Sequence, residues 1–222
     1  MSIPLPDYSV GINGKAASQL ADLHSIRADL ADARDYARLY ASRVPSPDAQ
    51  TAADPVSSAI NRALWASACI SYRRVFTTGK AHLAKGQPRL RVNDNWTDNL
   101  TPEQLDAHNS VLDMANRHIA HRVNDLEQVK IFALLASPPA QPGIVGVGPM
   151  ILSMVGPEVT LLQRLVSVCD LLIAATEREI DKLSQVLLDF MREQDLDPMY
   201  AAVQSRARLN DSEESSEMPR DD

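Results

Sequence analysis

From Lys15 to Val44 apolar residues return every three or four positions: Leu23, Ile26, Leu30, Ala33, Ala37, Tyr40 and Val44. That spacing lines one side of an α-helix and predicts a seam that packs on the rest of the same chain. Pro45 and Pro47 stop it, because proline lacks the amide donor a helix interior needs. A second apolar helix is predicted from about Val56 to Ala84, through Ile60, Leu64, Trp65, Ala68, Tyr72, Val75 and Phe76. Its apolar residues lie on several sides, as expected of a central helix. The stretch from Gly86 to Leu100 reads as polar and irregular. Thr101-Pro102-Glu103-Gln104 then carries a capping box with proline in the first turn. The third helix it starts is expected to run to about His121, on a stripe of Leu105, Leu112, Ala115 and Ile119 that also takes in His108.

After Asn124 the period changes. Val129 to Leu135 and Ile144 to Val155 are short apolar runs around Ser137-Pro138-Pro139-Ala140-Gln141-Pro142-Gly143, the pattern of a β-hairpin. Gly146 and Gly148 do not match a phosphate-loop spacing. From about Pro157 to Glu193 the helical period resumes on a long apolar face of Leu161, Leu162, Leu165, Val168, Leu172, Ala175, Ile180, Leu183, Leu187 and Phe190. The predicted fold is mainly α, an antiparallel helical bundle with a small β-hairpin inserted before the last long helix. Residues 1–14 form an irregular lead-in and 15–205 the helical domain. Within it lie the N-terminal helix 15–44, a bundle core 55–195 and a hairpin at about 127–155. Residues 206–222 are expected to form a disordered acidic tail, being rich in Ser and carboxylates and poor in apolar groups.

Composition narrows the function classes. At 222 residues the chain is long enough for a full core without disulfide or metal staples. The net charge of −7 argues against a generic nucleic-acid coat, although it leaves room for a local basic pocket. The two cysteines, Cys69 and Cys169, stand alone inside apolar helical patterns. They read as buried thiols of a reducing compartment, with no disulfide and no metal or redox spacing. The chain start has no signal-peptide pattern, and no continuous apolar stretch is long enough for a membrane span, so the expectation is a cytoplasmic protein without a membrane. No serine-hydrolase elbow, HExxH, Walker or CxxC pair is present, and no cofactor is predicted.

The chemically loaded run is Asn116-Arg117-His118-Ile119-Ala120-His121. Residues three and four apart are helical neighbours, so His121 lies beside both His118 and Arg117, and Asp113 reaches Arg117 one turn back. A guanidinium can hold phosphate charge and an imidazole can move a proton near neutral pH, the pairing that phosphodiester chemistry uses. The same residues at a helix end can instead satisfy free carbonyls and complement the helix dipole. Two histidines three apart could start a metal site, but no further ligands stand at a suggestive spacing, and no metal is predicted. A second candidate is Tyr72-Arg73-Arg74, near the end of the second helix, as a substrate-binding group. Its adjacent arginines point about 100° apart, so at most one faces a given pocket easily.

The run Trp65-Ala-Ser-Ala-Cys-Ile-Ser-Tyr-Arg-Arg-Val-Phe-Thr-Thr-Gly-Lys80, followed by a helix ending Asn116-Arg-His-Ile-Ala-His121, resembles the HEPN superfamily of helical-bundle proteins. More narrowly it is similar to bacterial and phage HEPN-like proteins whose motif helix ends Arg-Asn-Lys-His-Ile-Ala-His. The likeness spans about residues 55–195 in architecture and about two dozen residues closely. Many members are metal-independent ribonucleases or toxins, often in defence, with an active site at a dimer interface. The resemblance implies a homodimer. It also implies His121 as the motif histidine and Asn116 as the polar residue. The motif arginine falls on Ala115, a departure, and Arg117 takes the place of the lysine. Arg117, Arg73 or Arg74 would have to supply the missing charge, and loss of one such stabiliser typically costs on the order of a hundredfold in rate. Two functions follow as expectations. One is a HEPN-like module binding RNA or a protein partner, with weak or lost ribonuclease, toxin or defence activity. The other is a non-catalytic oligomerisation or interaction protein in which His118, His121 and Arg74 form a structural network.

Overall fold

The computed structural model describes residues 9–44, 54–77, 89–90, 92, 94–119, 127–137, 141–153 and 156–204. Among the described residues, four substantial helices form the bundle: α1 (Lys15–Arg43), α2 (Pro55–Phe76), α4 (Pro102–Met114) and α5 (Val159–Arg192). A single turn, α3 (Asp94–Thr97), precedes α4, and a π-helical turn, Ala115–Ile119, extends it. Strands β1 (Glu127–Leu135) and β2 (Ile144–Ser153) pair antiparallel just before α5. Residues 197–204 form a further helical segment after α5. The mainly α bundle with its inserted hairpin is thus the observed architecture. Residues 9–14 of the expected lead-in carry no helix or strand, whereas residues 1–8, 138–140 and the expected acidic tail 206–222 lie outside the described residues.

Local chemistry explains several boundaries. Asp54 caps α2 by accepting the Ser57 amide at 3.0 Å, with Pro55 in the first turn, where its missing donor costs nothing. Thr101 and Gln104 form the reciprocal capping box that sequence predicts for α4. α2 ends at Phe76 rather than near Ala84: Thr77 turns to extended backbone, and the amide of Val92 returns to donate to the Val75 carbonyl at 3.2 Å. An incoming segment therefore satisfies a carbonyl at the end of α2. The region expected to be irregular up to Leu100 contains the short turn α3.

The core lies where α1 packs against both α2 and α5, with α4 bridging α2 and α5 on the other side. Ile26, Leu30, Ala33, Ala37 and Tyr40 of α1 bury their side chains against Leu162, Leu165, Val168, Cys169 and Leu172 of α5 and Trp65, Ala68, Cys69, Tyr72 and Val75 of α2. The N-terminal helix folds back along the bundle, as its seam predicts. Arg27–Glu177 at 2.8 Å and Arg38–Asp170 at 3.0 Å tie its outer edge to α5. Such exposed pairs contribute about 0–1 kcal/mol each, so apolar burial dominates this contact. A window of 18 residues in α5 has a mean hydropathy of 1.6, long and apolar enough to cross a membrane by length and composition. Nine residues of α5 are buried, among them Leu162, Leu165 and Leu172 at the heart of this core.

The stripe of α4 is rotated from the expected one. Ala107, His108, Val111 and Ala115 face inward, while Leu105 is exposed and Leu112 half-buried. Leu105, a large apolar side chain of this stripe, therefore does not mark the inner face of α4. At the other end of the hairpin, Gly156 adopts φ +149°, and a Cβ there would overlap the Tyr40 hydroxyl. Glycine therefore permits both the backbone turn and the tight seat on α1 from which α5 starts.

Candidate functional site

The candidate residues arise from two neighbouring places, the last turn of α2 and the π turn that follows α4. Tyr72 is fully buried, and its hydroxyl lies 2.7 Å from His108 Nδ1. Phe76 stacks edge-on against the same imidazole, with ring centroids 4.8 Å apart. Tyr72 donates when His108 carries its proton on Nε2 and accepts in the other tautomer, so either form satisfies both polar atoms. Burial lowers the His108 pKa below the ordinary imidazole value and raises that of Tyr72 well above the ordinary phenol value. The pair is a neutral, apolar-walled hydrogen bond, and Tyr72 is not open to a substrate.

Arg73 and Arg74 diverge as their 100° separation requires. Arg74 turns to α1, where Nη2 lies 3.2 Å from Asp29 Oδ1. That carboxylate is only 5% exposed and also receives Arg89 Nη2 at 3.1 Å. Asp22, one heptad earlier on α1, accepts the Leu90 amide at 2.9 Å. Two buried acids of α1 thus hold the segment that returns to α2, and Arg74 completes the clamp. Arg73 is half-buried, and its Nε is buried without a hydrogen-bond partner. Asp22, Asp29 and Arg89 were not singled out by sequence. Their signal was present in two carboxylates seven residues apart beside an apolar seam.

In the motif run, Asn116 and Arg117 are exposed. Arg117 Nε donates to Asp113 Oδ1 at 2.6 Å, with the arginine side chain 71% exposed. A pair this exposed is weak and releasable. The pairing with Asp113 matches the one-turn spacing. Ala115, where the motif arginine would stand, is buried in the core beside α2. A guanidinium at that position would have to be desolvated inside the bundle. His118 belongs to the π turn, and His121 lies outside the described residues. Single π turns inside helices recur at functional sites.

Among the described residues, Arg74 and Arg117 engage acids on different helices, Asp29 on α1 and Asp113 on α4. No group of three or more His, Cys, Asp or Glu among them could hold a metal ion. The cysteines are both buried and unpaired, and burial raises both thiol pKa values. The chain matches no protein-family profile, no curated protein and no solved structure.

Proposed function

We propose that this chain is a HEPN-like interaction module whose arginines and histidines serve mainly to hold the bundle together and present a surface to a protein partner. The observation that carries this reading is the pairing of the half-exposed Arg74 with the buried Asp29 carboxylate, which it shares with Arg89. Freeing it to bind a phosphate would leave that acid with less compensation in a dry site. The burial of Tyr72 against His108 supports the same reading, since it removes the third member of the candidate substrate-binding group from solvent.

A second reading, RNA binding with residual ribonuclease activity, draws on the π turn and on the releasable Arg117. There Arg117 would hold a phosphate and His121 would act as acid and base, with Asn116 and His118 beside them. The test is incubation of the purified chain with single-stranded and structured RNA in the presence of chelator, beside His121→Ala. We expect both proteins to leave the RNA at the buffer rate. Cleavage by the wild type that His121→Ala abolishes would replace the first reading with the second.

A further inference from the structure

The hairpin has two unlike faces. Cross-strand partners share a face, and the register pairs Lys130 with Met150, Ile131 with Pro149, Phe132 with Gly148, Ala133 with Val147 and Leu134 with Gly146. A bulge at Val145 shifts the register so that Leu135 pairs with Ile144. Lys130, Phe132, Leu134, Met150 and the two glycines therefore lie on one face. There Leu134 Cδ1 sits over Gly146 and Gly148, within 3.7 and 3.9 Å of where a Cβ would be. That face partly covers itself, with Phe132, Met150 and Leu134 exposed at 41, 43 and 53%. The other face carries Ile131, Ala133, Leu135, Ile144, Val147 and Pro149. It has no charge among these side chains, and Ile131, Leu135, Ile144 and Val147 are exposed at 66, 70, 71 and 71%. The more apolar face is the less covered one, and a lone two-stranded hairpin is at best marginally stable in water.

We propose that this face docks on the same face of a second copy of the chain, the two hairpins stacking around a twofold axis. Four large aliphatic side chains, with Ala133 and Pro149 between them, offer on the order of 500 Å² per copy at roughly 100 Å² for each large side chain. Two copies then bury on the order of 1,000 Å², the threshold for a specific interface. An uncharged face is complementary to itself, as an isologous contact requires. The chain's own C-terminal residues 206–222 have the wrong chemistry to cover it, being mostly charged and polar. A bilayer suits it less, because an open two-stranded sheet carries unpaired amides and carbonyls along both edges, and hydrocarbon cannot satisfy them. The proposal gives the interaction reading its partner and rests on that reading. RNA cleavage and self-association report on separate parts of the chain, so either can fail alone.

The experiment is sedimentation velocity of the full chain over a wide dilution series, beside Ile131→Asp/Val147→Asp and Lys130→Glu. We expect a concentration-dependent dimer that the double variant weakens on the order of a hundredfold, since it places unpaired carboxylates in the contact. Lys130→Glu, on the opposite face, should leave the dimer within about twofold, as expected of a charge outside the contact. Far-UV circular dichroism checks that the helices persist. Independently of any disruptive change, Ala133→Cys should be joined across two copies by a short bismaleimide, in a reaction that dilution suppresses. A wild type that stays monomeric throughout would overturn the proposal, as would a dimer indifferent to the two aspartates. Recruitment of a monomeric wild type, but not of the double variant, to phosphatidylcholine vesicles would assign the face to a bilayer and overturn it as well.

Discussion

The helical bundle and the hairpin contain similar apolar side chains and treat them in opposite ways. In the bundle, Ile26, Leu30, Leu162 and Leu165 are fully enclosed, and the Asp29 carboxylate and the Tyr72–His108 pair that enter have partners. In the hairpin, Ile131, Leu135, Ile144 and Val147 stand mostly in solvent. The bundle's apolar surface has its complement elsewhere in the same chain, whereas that of the hairpin has none among the described residues. Hydrophobicity marks both regions alike, and only the three-dimensional arrangement shows which apolar surface is already covered.

That contrast can be broken at the bundle most severely. Leu165→Ala should cost about 2–5 kcal/mol in urea unfolding, through lost burial and the cavity left behind. A loss below about 1 kcal/mol would mean that the core between α1, α2 and α5 is looser than a closed bundle. A smaller effect should come from acid. Because burial holds the His108 pKa below its unfolded value, the unfolded chain takes up its proton first as pH falls. The stability tied to neutral His108 is thus complete above about pH 6.5 and declines as pH drops from there toward the folded pKa. His108→Gln, which keeps a polar group near Tyr72, should flatten that part of the pH dependence of the urea midpoint. An unchanged slope would show that His108 is not excluded from water. The smallest effect belongs to the hairpin: Val147→Ser should alter bundle unfolding, followed by helix signal at high dilution, by no more than about 0.5 kcal/mol. A larger loss would mean that the hairpin face is part of the bundle's own core.

The seam of α1, the capping box of α4 and the hairpin were legible in sequence because each depends on residues close together in the chain. The inner face of α4 was not, since how the helix is rotated against α2 and α5, which buries Ala107, Val111 and Ala115 and exposes Leu105, is set by packing between distant segments. The early end of α2 at Phe76 also depends on a distant segment, through Val92. The same divide runs through the candidate site. The residue types at Arg73, Arg74, Asn116 and Arg117 could be read directly, as could the pairing of Asp113 with Arg117. That Arg74 belongs to Asp29 could not, because the acid lies on another helix and its burial is a property of the assembled bundle.

The two native thiols have a practical consequence. Cys69 and Cys169 are buried, and burial disfavours their reactive thiolate forms. The folded chain thereby offers a chemically silent background. A spin label or fluorophore attached through one introduced surface cysteine would report from a single known place, with the native sequence otherwise intact.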